Sequence, residues 1–240
     1  GSPVFEAGSY LGGAEVYYYP LLRENNFLPV IEDIPEDVLN KTKYIVLSYP
    51  SNPVGASAPK EMYVRMIEYA KKYNFAIIND NAYSDIIFDG REGFSFLSLP
   101  GAKDVGVEFF SLSKSYNVTG LRISFCIGNK SIIDAFKLLR SQYDFGMSYP
   151  AQKAAIAALR GPRDSVKAQC AEYQRRRDAL LNGLRKYGWN VPDSHGTMFV
   201  WLPVPEGYTS ASFTEALMDK AGVIGTPGTA FGPLGEGYIR

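Results

Sequence analysis

Ligands for soft metals are nearly missing from this sequence. It holds two cysteines, Cys126 and Cys170, and one histidine, His195. No cluster of these has the spacing of a metal site, so no metal is expected. His195 lies in a turn, "DSHGT", and receives no chemical role. Two cysteines are too few for a disulfide framework. Both stand in apolar or helical surroundings, which reads as reduced thiols in a cytoplasmic protein. An excess of charge is missing too, with 25 basic residues against 25 acidic ones. Nucleic-acid binders draw affinity from basic patches, so no nucleic-acid partner is expected. The run Arg175-Arg176-Arg177 reads as a solvated face of a long helix. No apolar run reaches the roughly 18 residues that suggest a membrane span. No signal peptide, internal repeat or low-complexity tract is visible. What remains is an ordinary globular composition, 46% hydrophobic and 21% charged, in a chain of 240 residues.

Apolar, β-branched runs alternate with helical patterns through the first part of the chain. Strands are expected at 43–48, 75–79, 107–112 and 122–128. Helices are expected at 59–74, with Met62, Met66, Ile67 and Ala70 facing inward, and at 131–145 and 150–160. Buried strands joined by helices predict an α/β fold, a three-layer, mainly parallel sheet. Beyond Gly161 the pattern changes to a long charged helix over 161–188, a strand at 196–204, a helix near 210–221 and short strands near 222–225 and 237–240. This predicts two domains, 1–160 and a smaller α+β unit at 161–240. The chain starts "GSP" without methionine and stops at "GEGYIR" inside an expected strand, so it reads as a piece excised from a longer protein.

The chemistry-bearing residues gather at strand ends. "YPSNPVG" follows the first strand and carries Asn52. "DNAY" follows the second and carries Asp80 and Tyr83. "SLSKS" closes the third, with Ser111, Ser113 and Lys114. Open α/β sheets bind ligands outside the carboxyl ends of their strands. These strand ends therefore offer an amide, a carboxylate with a phenol, and an amine, provided the strands are parallel neighbours. An amine forms Schiff bases with carbonyls. A buried carboxylate holds a ring nitrogen protonated. Hydroxyls with Arg122 suit a phosphate. A pyridine ring bearing a phenolate, an aldehyde and a phosphate fits every role, which points to pyridoxal 5′-phosphate. Taken singly, each residue has a plainer reading. Asp80 could cap a helix, Asn52 could serve a turn, and Ser111 and Ser113 could be strand-end hydroxyls.

"YPSNPVGA", "NDNAYSD", "SLSKSYNVTGLRIS" and "GYIR" resemble, in that order, the motifs of class I/II aminotransferases of fold type I. The lead-in "YYYPLLRENNFLPVIEDIPEDV" is most similar to the branch holding LL-diaminopimelate and aspartate-type enzymes. The resemblance covers nearly the whole chain. It implies that Lys114 is the Schiff-base lysine and carries the substrate's α-proton, and that Asp80 pairs with the pyridinium nitrogen. Tyr83 and Asn52 would bond the ring's phenolate oxygen, and Ser111, Ser113 and Arg122 the phosphate. Arg240 would hold the substrate α-carboxylate, with Asn52 nearby. The substrates implied are an amino acid and a 2-oxo acid, exchanged by ping-pong transfer in a homodimer. The family also has segments not seen in this chain: a glycine-containing phosphate turn, an aromatic that stacks on the ring, a covering arm and a final helix. "NPVG" stands where "NPTG" is commoner.

Two rival readings keep the same motifs. A β-lyase or decarboxylase would use the same cofactor contacts. A transcriptional regulator would use the domain as a ligand sensor, behind an upstream DNA-binding module.

Overall fold

Alternation sets the strands and a repeat of three and four sets the helices. The computed structural model describes residues 3–240. In chain order its elements are α1 (Pro3–Leu11), α2 (Glu36–Lys41), β1 (Tyr44–Ser48), α3 (Lys60–Tyr73), β2 (Ala76–Asp80), α4 (Ala102–Val105), β3 (Gly106–Ser111), α5 (Leu112–Ser115), β4 (Ser124–Gly128), α6 (Lys130–Tyr143), α7 (Tyr149–Arg160), α8 (Asp164–Lys186), β5 (Leu202–Pro203), α9 (Ser210–Ala221) and β6 (Tyr238–Ile239). They fall into two compact units. One comprises Val30–Pro50 and Ser57–Glu172. The other comprises the described residues up to Pro29, with Ser51–Ala56 and Tyr173–Arg240.

The first unit is built on a four-stranded sheet in the order β1-β2-β3-β4. β1, β2 and β3 are parallel and β4 is antiparallel, which matches the mainly parallel sheet expected. Helices lie on both faces. Asn79 and Glu108 are register partners and share one face, where Tyr63 of α3 reaches Asn79. Phe109 points to the other face, where its ring meets Phe136 of α6 edge-on at 5.8 Å. Helix α3 buries Tyr63, Met66, Ile67 and Ala70, so Tyr63 rather than the expected Met62 opens its inner stripe. The helix stops where Asn74 takes a left-handed conformation, φ 56°, and gives its N–H to Ala70 O. β4 begins at Ser124 rather than at 122 because Arg122 is itself left-handed, φ 53°, and breaks the extended run.

In the second unit, β5 and β6 form a two-residue antiparallel ladder, Leu202 to Ile239 and Pro203 to Tyr238. The strand expected over 196–204 is laddered only there. The strand expected at 222–225 is not formed. Gly222 ends α9 in a left-handed turn, φ 64°, and the chain then meets Arg240 at Thr226. Trp201 stacks on Tyr238 at 5.1 Å and meets Phe231 edge-on at 5.7 Å. The "RRR" run is not uniformly solvated: the Arg177 side chain is only 9% exposed, paired with Asp178 and donating to Ser194 O. No helix among the described residues is long and apolar enough to cross a membrane.

Leu47 lies on β1 at the edge of the sheet, yet has 0% exposure. Leu47→Ala is expected to destabilise the sheet unit by about 2–5 kcal/mol, through lost burial and the cavity left behind. Urea denaturation followed by circular dichroism checks it.

Candidate active site

The condition set by the strand ends is met. Ser48 is level with Asp80, and Asp80 with Phe109, so β1 and β2 end together and β3 runs two residues further, to Ser111. Asp80 is the last residue of β2. Its Oδ1 accepts the Ala82 N–H at 3.2 Å, the one partner it has among the described residues. Burial pushes its carboxyl above the ordinary carboxylate range, and the Ala82 N–H only partly offsets this. Tyr83 follows in the turn and is buried, at 7% exposure. Its carbonyl accepts the Ile86 N–H at 2.9 Å, which closes the turn.

Lys114 lies on α5, the short helix that starts as β3 ends. Ser111 caps that helix: its Oγ accepts the Ser113 N–H at 3.2 Å. Ser113 is buried and Lys114 half-buried. The Lys114 carbonyl accepts Gln169 Nε2 of α8 at 2.7 Å, a contact the sequence did not suggest. β4 runs antiparallel with Ser124 level with Ser111, so its amino end, preceded by Arg122, stands at the same edge of the sheet. Arg122 is exposed, and its Nη1 donates to Thr119 O at 3.1 Å. Ser111 also lines a cavity of about 440 Å³ with Phe110, Phe125 and Leu159, and Asp80, Lys114 and Arg122 do not border it. Among the described residues no cluster of acids, cysteines and histidine could hold a metal ion.

Asn52 and Arg240 meet in the second unit. Arg240 Nη1 donates to Asn52 Oδ1 at 3.0 Å, and Nη2 reaches Thr226 Oγ1 at 3.4 Å. The Arg240 and Thr226 backbones exchange two hydrogen bonds, of 2.9 and 3.0 Å. The guanidinium lies 4.2 Å from the Phe199 ring centre and 4.8 Å from that of Phe231. These aromatics in "MFVW" and "TAFG" were missed, because nothing local marks a ring as the wall of a cation. The Asn52 segment is clamped by Gly55, whose carbonyl accepts the N–H groups of His195 and Gly196 at 2.7 and 3.1 Å. Gly55 has φ +71°, and a Cβ there would stand 2.4 Å from Ser194 Oγ.

A carboxyl raised by folding binds protons more readily in the folded chain than in the unfolded one. Its contribution to stability is present in acid and is lost as pH rises from the unfolded pKa through the raised one. At neutral pH the charged Asp80 is thus a cost that asparagine does not carry. Ligand-free Asp80→Asn is expected to melt at or above the temperature of the unsubstituted chain at neutral pH. The gap should close below about pH 4. Thermal denaturation across pH measures this.

Comparison with known proteins agrees with this architecture. The family model "Aminotransferase class I and II" matches residues 3–240. The LL-diaminopimelate aminotransferase of Dehalococcoides mccartyi is 51% identical over 99% of this chain and 61% of its own length. That of Moorella thermoacetica is 44% identical over 100% of this chain and 62% of its own. Apo BacF from Bacillus subtilis superposes with a TM-score of 0.96 at 37% identity, over 100% of this chain and 61% of that one. The chain thus spans about three fifths of the length of the curated relatives it matches. Across all the residues described, this chain belongs to the class I and II aminotransferases.

Proposed function

We propose that this chain carries the cofactor site and carboxylate anchor of an aminotransferase. The enzyme would move an amino group between LL-diaminopimelate and a 2-oxo acid by a ping-pong sequence. The class I and II aminotransferases depend on pyridoxal 5′-phosphate and act on small amino acids and 2-oxo acids. The relatives at 44 and 51% identity are named for LL-diaminopimelate, which supports that donor. The observation that carries the reading is Asp80. A half-buried carboxylate at the end of a parallel strand, with one N–H for company, suits a protonated ring nitrogen whose charge would compensate it.

When bound, the cofactor supplies an electron sink conjugated to the substrate's α-carbon. The remaining work falls to this chain. Lys114 would hold the cofactor at its aldehyde carbon and would move the proton at the substrate α-carbon. Asp80 keeps the ring nitrogen protonated. Tyr83 and Asn52 donate to the ring's phenolic oxygen. Ser111, Ser113 and Arg122 hold the phosphate, and Arg240 grips the α-carboxylate edge-on. The division at Gly161 into large and small domains, the homodimer and the cytoplasmic setting belong to the same reading. Support for the last is that Cys126 and Cys170 are both free thiols.

A visible absorbance band is expected when this chain is mixed with pyridoxal phosphate, and it should survive gel filtration. Lys114→Ala should lose it. In the full-length enzyme the same change should lower kcat by about 10²–10⁴-fold or more. LL-diaminopimelate should bleach the band and a 2-oxo acid restore it. Release of pyruvate with ammonia or thiol would point to a lyase instead, and a band that persists without Lys114 would overturn the assignment. Arg240→Lys in the full-length enzyme should raise KM for the amino donor about 10- to 100-fold, because an ammonium lacks the planar two-pronged contact. Steady-state kinetics checks it.

A further inference from the structure

Glu108 has no part in the reading above, yet it is fully buried, at 0% exposure, in β3, between parallel β2 and antiparallel β4. A carboxylate there is costly unless hydrogen-bonded. No lysine, arginine or histidine pairs with it among the described residues. Instead, donors converge on both oxygens. Oε1 accepts Asn79 Nδ2 at 3.1 Å, Asn81 Nδ2 at 2.5 Å and the Phe96 N–H at 3.3 Å. Oε2 accepts Ser95 Oγ at 2.5 Å and the Leu97 N–H at 3.4 Å.

The pattern has a direction. Asn79 and Asn81 are the residues on either side of Asp80. Strand side chains alternate, so the two asparagines go to Glu108 on one face while Asp80 points to the other. Each amide has a further partner. Tyr63 Oη donates to Asn79 Oδ1 at 3.2 Å, and Asn81 Nδ2 also reaches Phe94 O at 3.1 Å. The Asn81 N–H continues the ladder to Phe109 O at 2.9 Å. A backbone shift at Asp80 therefore disturbs contacts to Glu108 on both sides.

We propose that Glu108 is a positioning residue for cofactor binding: by holding Asn79 and Asn81 it fixes how Asp80 is presented to the ring nitrogen of pyridoxal phosphate. The proposal rests on the cofactor reading above. It adds a residue that touches neither cofactor nor substrate and acts through Asp80.

Glu108→Gln tests it, since the amide keeps the shape but turns one acceptor into a donor facing other donors. Pyridoxal phosphate binding is titrated by absorbance in the unsubstituted chain, Glu108→Gln, Asp80→Asn and the double variant. The expected result is a loss of affinity of about 5- to 100-fold from Glu108→Gln when Asp80 is present, and under about twofold when it is not. Equal losses in both backgrounds would reveal a merely structural role and overturn the proposal. Amide hydrogen exchange needs no cofactor: Asn81, Ala82 and Tyr83 should exchange at least about 10-fold faster in Glu108→Gln. Unchanged exchange there overturns the proposal as well. If Glu108→Gln does not fold, Ser95→Ala, which removes a single donor, must show the same pattern in weaker form. A folded Ser95→Ala with unaltered binding and exchange then decides against it. A chain that binds no pyridoxal phosphate in any form sinks the cofactor reading of this chain, while the exchange result still decides whether Glu108 holds the strand end.

Discussion

Parallel register is the constraint on which the candidate site depends. Neighbouring strands lie about 4.8 Å apart. Parallel strands that end within two residues of one level therefore bring their carboxyl ends close together. Ser48, Asp80 and Phe109 are level, so the groups that follow β2 and β3 inherit that closeness. The antiparallel strand obeys the same rule in reverse. Its carboxyl end, Gly128, is level with Val107 at the far edge, while its amino end stands beside Ser111. Arg122 reaches the site edge because β4 runs backwards.

Two carboxylates near this edge are treated in opposite ways. Glu108 is sealed in and satisfied by side-chain and backbone donors on both oxygens. Asp80 is less buried and keeps a single N–H partner. The first arrangement favours folding, because a fully bonded buried polar network rigidifies what it joins. The second opposes folding slightly and favours a cation. A strand end held firmly on one face is what allows the other face to carry an unsatisfied charge without the backbone moving to relieve it.

Much of this was legible in the sequence, for physical reasons. Apolar, β-branched runs of five or six residues can hardly be anything but buried strands, and Asp80 and Lys114 stand out because they follow such runs directly. Glu108 was passed over because a lone acid inside "VEFF" looks like noise until its partners are known. Those partners come from residues 79, 81 and 95–97, and no local rule joins them. Tyr63 displaced Met62 for a similar reason: its hydroxyl has Asn79 to reach, so a polar tip becomes an asset in the interior. The short ladder of β5 and β6 was over-read, since an apolar run such as 198–201 satisfies a strand pattern without finding a neighbour to pair with.

Arg240 shows what tertiary packing adds to a residue that sequence position alone could only nominate. Its guanidinium carbon lies over the Phe199 and Phe231 rings, 4.2 and 4.8 Å from their centres, so two rings crowd it. Asn52 and Thr226 take contacts in its plane. A guanidinium's donors lie in its plane, which suits a carboxylate in a two-pronged contact. The backbone exchange with Thr226 fixes the residue at its root, and the rings pack against its tip. A long side chain ordinarily loses much rotamer freedom on binding. Here that loss has already been taken in folding, so little of the attraction to an arriving carboxylate is spent on ordering its host.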